Sequence, residues 1–219
     1  VTASAETVVE SLDARGRGVV RVDGKSLFVP GALPGERIRY RLPKRRRRGE
    51  VELEEILEPA PQRATPRCPH FAVCGACTLQ HMHPEHQIAA KQQTLLESLE
   101  RLGDVSPGEI FTPLTGPLWG YRRRARLGVR DVQAKGRVLV GFREKNGRYL
   151  ADMGRCEVLD PQVGTRLMAL SELLGTLGIR AQVPQIEVAV DDSSCALVFR
   201  VLEAPSVQDR KRMVEFTRL

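Results

Sequence analysis

Residues 68–77 read CPHFAVCGAC, a C-x5-C-x2-C spacing that sets Cys68, Cys74 and Cys77 within ten positions, and a fourth thiol follows far downstream at Cys156. Thiolates are soft donors that favour iron–sulfur clusters or zinc over hard cations, and four of them complete a first coordination sphere. One compact trio plus a remote singleton suits a four-iron cubane, which takes one thiolate per iron. Structural zinc more often uses two short C-x2-C knuckles. A cluster is therefore the favoured reading, with zinc and unligated thiols as alternatives. Gly75, between two ligands, suits a chain that must wrap closely around a metal. An intracellular-looking composition, an odd cysteine number and no visible signal peptide argue against a disulfide framework.

Four histidines crowd the same region, but only three residues separate Cys77 from His81, too few for a zinc finger. His70, His81, His83 and His86 are read as helix-entry and surface residues. Cys195, in the apolar run CALVF, is read as a small buried hydrophobe outside the site.

Around this loop, the 219 residues suit one large or two small domains. No apolar run approaches the roughly 18 residues of a membrane span, so a soluble, cytoplasmic monomer is expected. A formal charge of +7 and a pI near 9.5 point to a polyanionic partner. The charge is concentrated in two runs, Lys44, Arg45, Arg46, Arg47 and Arg48, then Arg122, Arg123, Arg124 and Arg126, with glutamates at 50, 52, 54, 55 and 58 between them. The ordinary reading of either run is a solvated loop or strand edge. In an extended segment, Arg122 and Arg124 project opposite to Arg123. Tyr121, Trp119 and Phe142 lie nearby as candidate stacking platforms, against core packing as the ordinary role of Trp119 and Phe142.

The expected fold class is α+β. Residues 1–60 read as short strands punctuated by Asp23-Gly24, Pro30-Gly31 and Pro34-Gly35, with Ile38, Tyr40 and Leu42 alternating with arginines, which suggests a small barrel of the oligonucleotide-binding type. Residues 61–103 form a linker, the cysteine loop and a helix from Pro84 whose stripe of Ile88, Leu95, Leu99 and Leu102 packs on a core and anchors the loop, with Gly103 as cap. Residues 104–219 form a central α/β domain, with paired strands at 126–130 and 137–142. There, Cys156 lies in a strand before a second helix, which carries Val163, Leu167, Leu170, Leu174 and Leu177 and is closed by Gly178. Two more strands, 186–190 and 195–201, are followed by a helix with a Ser206/Asp209 capping box. That helix reads as still open at Leu219, the pattern of an amino-terminal fragment.

The cysteine segment, the lysine–glutamine pair Lys91-Gln92, the run from Gly120 to Leu127, the Gly141-Phe142-Arg143 triplet and Cys156 together resemble the bacterial 23S ribosomal RNA uracil-C5 methyltransferases that carry a TRAM domain and an iron–sulfur cluster. The resemblance extends from about Gly16 along nearly the whole chain. Ala76 and Thr78 depart from it, where glycine and glutamine are frequent. It implies that Cys68, Cys74, Cys77 and Cys156 bind a [4Fe-4S] cluster, that the barrel is the TRAM domain, and that RNA is the partner, 23S rRNA or, in a close relative, tRNA. Arg143 joins the RNA-contacting set on the same ground. In that family a Rossmann-like domain binds S-adenosylmethionine and supplies a nucleophilic cysteine. That machinery is not visible in this sequence, so the chain alone is expected to bind RNA and transfer no methyl group. Other readings are a free-standing RNA-binding protein with a structural metal, and a redox sensor.

Overall fold

The computed structural model describes residues 4–42, 49–145 and 147–218. The chain is mixed α/β and divides into two compact units, Val1–Pro66 with Thr78–Leu114, and Arg67–Cys77 with Thr115–Leu219. The 61–103 segment is thus shared: its cysteine loop belongs to the second unit and its helix to the first.

In the first unit, β1 (Ser4–Val8), β2 (Ser11–Leu12), β3 (Arg17–Val22), β4 (Lys25–Pro30), β5 (Arg37–Arg41) and β6 (Glu52–Glu58) are all antiparallel in their ladders. They make two three-stranded sheets, β1-β5-β6 and β2-β3-β4, and among the described residues no closed barrel is formed. Between the sheets, Phe28 exchanges bonds with Gly49 and Val51, both 2.9 Å, a join too short to be a ladder. Register shifts in β5 between Arg37 and Ile38 and between Arg39 and Tyr40 bend its sheet further. Both sheets share one core of Val9, Val20, Val29, Ala32, Ile38 and Tyr40. Burying each large aliphatic there contributes roughly 1.5–3 kcal/mol.

One ionised group lies inside this unit. Glu36 is fully buried, and its carboxylate accepts from Arg63 at 2.5 and 2.8 Å and from the Leu33 amide at 2.8 Å. Burial alone would raise its pKa. The Arg63 hydrogen bond and the Leu33 amide outweigh that and hold the carboxyl below the ordinary range.

The helix α1 (Pro84–Gly103) begins with proline in its first turn. Its cap differs from the sequence reading. Gly103 remains helical, and Asp104 takes the left-handed conformation at φ 50°, its N–H reaching the Glu100 carbonyl. Aspartate tolerates that region because its short polar side chain bonds locally. Nor is the predicted stripe a core face: α1 buries no residue, and Leu95 and Leu102 are exposed.

In the second unit, β7 (Arg124–Val132), β8 (Arg137–Gly141), β9 (Gln185–Val190) and β10 (Cys195–Arg200) form an antiparallel sheet in the order β10-β9-β7-β8. Alternation along β7 turns Ala125, Leu127 and Val129 inward and leaves Arg124, Arg126 and Arg130 outward. The inward face packs with Ile186 and Val188 against Leu167, Leu170 and Leu174. The helix carrying those leucines is interrupted: α2 (Pro161–Gly164) and α3 (Leu167–Thr176) replace the single helix expected. The Gly164 carbonyl accepts from the Cys156 amide at 2.8 Å, and a side chain at 164 would collide with the Cys156 carbonyl. Docking the cysteine segment therefore breaks the helix. Cys156 itself lies in irregular chain, not a strand.

Gly178 does not close α3 as a helical cap; Leu177 turns extended there, and the Gly178 amide is caught by Asp209 at 2.9 Å. Asp209 and Ser206 make the reciprocal capping box of α4 (Val207–Phe216), which ends at a Thr217 cap rather than running on. Among the described residues no helix is long and apolar enough to cross a membrane.

Candidate metal centre and nucleic-acid interface

The cysteine loop is held by its own backbone. The Phe71 amide bonds the Cys68 carbonyl at 3.1 Å, and the Cys74 amide bonds the His70 carbonyl at 2.8 Å. Gly75 then donates to the Arg143 carbonyl at 2.9 Å, and a Cβ there would lie 3.1 Å from the carbonyl oxygens of both Arg143 and Glu144. A side chain at 75 would crowd this backbone, which favours glycine there. His70 accepts from the Gly154 amide at 3.2 Å, tying the loop to the Cys156 segment.

Cys68, Cys74 and Cys156 are buried and Cys77 is half-buried. The structure brings the four together: Cys74 lies within electrostatic reach of Cys156, Cys77 and Cys68, and Cys156 within reach of Cys77 and Cys68. Burial pushes the Cys74 thiol up, negative charge on the other three pushes the same way, and the Ala76 amide, 3.5 Å from its sulfur, opposes them. Burial likewise raises Cys156 against the amides of Leu159 and Val158. At Cys74 and Cys156, burial and neighbouring thiolate charge together disfavour the thiolate, and the amides aimed at their sulfurs offset this only in part. Among the described residues, no three His, Cys, Asp or Glu side chains are arranged to hold a single metal ion.

The remaining predicted residues fall as follows. His81 is buried, unlike the helix-entry and surface role read for the four histidines, while His83 occupies the N-cap position of α1 without a side-chain cap bond and His86 is exposed. Cys195 is exposed on β10, the edge strand of its sheet among the described residues. Lys145 was not singled out from sequence. Its ammonium sits 4.2 Å over the Phe71 ring; burial lowers its pKa while Cys74 and Cys77 raise it. Only the folded loop reveals that proximity.

The basic run Lys44, Arg45, Arg46, Arg47 and Arg48 lies outside the described residues. The second run lies on the sheet. Arg122, Arg124 and Arg126 line one concavity, whereas Arg123 pairs with Asp192 at 2.7 Å, away from them. The Arg122 guanidinium lies 4.8 Å over Phe142, which also packs on the core. Trp119 is half-buried beneath Arg67 at 5.2 Å, Tyr121 is exposed, and Arg143 reaches the Gly147 carbonyl at 3.2 Å. Arg124 and Arg126 have no ion-pair partner among the described residues. Their cross-strand neighbours are Ala189 and Glu187, and Glu187 is engaged by Arg200 at 3.0 Å. Arg130 continues the outward alternation; the period-two pattern already visible at 122, 124 and 126 could have found it.

No family model matches the chain. Curated relatives do. The 23S rRNA (uracil(1939)-C(5))-methyltransferase RlmD of Alkalilimnicola ehrlichii is 50% identical over 214 residues, 97% of this chain and 48% of the relative. Those of Azoarcus sp. and Methylococcus capsulatus are 47% and 46% identical over 210 and 209 residues, covering 95% of this chain and 48% and 47% of their own lengths. The chain spans about half the length of the curated relatives it matches, and across nearly all of its own length it is a homologue of the RlmD 23S rRNA uracil-C5 methyltransferases.

Proposed function

We propose that this chain is the RNA-recognising and [4Fe-4S]-binding portion of an S-adenosylmethionine-dependent rRNA uracil-C5 methyltransferase. The observation that carries the reading is the gathering of Cys68, Cys74, Cys77 and Cys156 in one half-sealed neighbourhood of the second unit. A single tetrahedral zinc, with Zn–S near ~2.3 Å, would draw its sulfurs to about 4 Å of one another. A cubane gives each thiolate its own iron and suits a wider ring. The C-x5-C-x2-C trio with a remote fourth cysteine is what favours the cluster over zinc.

When bound, the cluster supplies a covalent tie between two distant parts of the chain. Residues 68–77 and 156 are then cross-linked, which removes unfolded-state entropy and fixes the loop against the 143–144 backbone. The six strands of the first unit, sharing one core, take the TRAM role. The arginines at 124 and 126 contact phosphates, positioning RNA without reading its sequence, with Arg122 beside them in the same concavity. By the resemblance, the S-adenosylmethionine site and the nucleophilic cysteine belong to the portion of the relatives that this chain does not span. The chain alone then binds RNA, 23S rRNA in the first instance, without transferring a methyl group.

Anaerobic purification with iron and sulfide analysis tests the metal assignment. Roughly four irons per chain are expected, with visible charge-transfer absorption. Cys156→Ser is expected to lose both and to loosen the second unit; an iron-loaded, folded Cys156→Ser protein would remove Cys156 from the ligand set. One equivalent of zinc and no iron would replace the cluster with a structural zinc.

A further inference from the structure

The outward face of the four-stranded sheet is not merely basic. Its concavity, about 540 Å³, has an apolar floor of Ala189, Ala196 and Val198, all exposed, and a rim of Arg122, Arg124 and Arg126. The one acid lining it, Glu187, is already engaged by Arg200 and by Gln185. A floor without free hydrogen-bonding side chains does not suit a lone phosphate, and unpaired arginines at the rim do not suit an apolar peptide. A flat apolar body bearing negative charge on either side satisfies both. The Arg122 guanidinium, laid on Phe142, offers such a body a planar surface.

We propose that this concavity is a subsite for one unpaired nucleobase of the bound RNA, seated over Ala189, Ala196 and Val198 and stacked on Arg122, with Arg124 and Arg126 on the adjoining phosphates. This rests on the RNA-binding reading and sharpens it to single-stranded RNA. Bases in an A-form duplex are stacked and present only edges, so a duplex reaches the rim and not the floor.

The test compares a short single-stranded oligoribonucleotide with a hairpin duplex by fluorescence anisotropy on the whole chain. Ala196→Trp fills the floor from an exposed edge-strand position without changing charge. It is expected to weaken single-strand binding about tenfold, the order of one lost stacking contact, with duplex binding and thermal unfolding unchanged. Arg122→Lys keeps the charge but removes the planar surface; single-strand affinity should fall severalfold with an unaltered salt dependence. Wild-type affinity in Ala196→Trp, or equal losses for single strand and duplex, would overturn the subsite while leaving RNA binding intact. Failure of the wild-type chain to bind either RNA would instead overturn the RNA-binding reading beneath it.

Discussion

Arg37, Arg39 and Arg41 on β5 and Arg122, Arg124 and Arg126, which lead into β7, carry the same every-other-residue spacing, and the fold uses them in opposite ways. On β5 every arginine is met by glutamates of neighbouring strands: Arg37 meets Glu58 at 2.8 Å and Glu6 at 3.3 Å, Arg39 meets Glu6 at 2.8 Å and Glu55, and Arg41 meets Glu52 at 2.6 Å on the β6 side alone. On β7 the neighbours across the ladder are Ala189 and an already engaged Glu187. A basic alternation therefore says little about nucleic acid until its neighbouring strands are known. The β5 ladder is neutralised from within, whereas Arg124 and Arg126 on the β7 face have no ion-pair partner among the described residues.

That contrast can be attacked where charge is deepest. Glu36→Gln leaves the Arg63 cation without its buried partner and should destabilise the first unit by about 3 kcal/mol, measured by chemical denaturation. The pH dependence has a definite sign. A carboxyl depressed in the folded state stabilises fully above its unfolded pKa, about 4.3, and that stability is lost as pH falls through the lower folded value. The wild-type unit should weaken on acidification below about pH 4, with a shallower decline in Glu36→Gln. Equal acid profiles would remove Glu36 from its architectural role.

Converting the second face into a copy of the first comes next. Ala189→Glu with Val198→Glu would place carboxylates beside Arg124 and Arg126 and should lower RNA affinity roughly 100-fold at low salt, as like-charge juxtaposition costs several kcal/mol. Fold stability should be nearly unaffected, since both positions are exposed. Unchanged RNA affinity would show that the sheet face is not the contact surface. The smallest effect is expected from Arg39→Ala. Its ion pairs lie at the surface, so stability should change by less than about 1 kcal/mol, and RNA affinity not at all.

Much of this was legible before the fold was known. The hairpin around Asp23-Gly24, the β7–β8 pair and the Ser206/Asp209 capping box follow from local rules of turns, alternation and caps. The readings that failed depended on distant partners. Gly164 gives its carbonyl to Cys156, so a stripe that is continuous in sequence becomes two helices. Periodicity gave α1 an apolar stripe, but Leu95 and Leu102 remain exposed because periodicity does not supply a surface to pack on. Among the described residues of 4–58 the strands stop short of a barrel because the join at Phe28, two bonds to Gly49 and Val51, does not extend into a ladder. For the site, the sequence named the four thiols, but the Arg143–Glu144 backbone that Gly75 packs against and the ammonium of Lys145 come from a segment some seventy residues away in sequence.

The most direct test of the contrast is a side-by-side salt titration of RNA binding for Arg124→Ala/Arg126→Ala and Arg37→Ala/Arg39→Ala. With a single-stranded ligand each lost phosphate contact should flatten the plot of log affinity against log salt by about 0.7. The expected result is a slope reduced by roughly 1.4 in the β7 variant and unchanged in the β5 variant. Equal flattening in both, or flattening in the β5 variant alone, would contradict the assignment of the β7 face to RNA.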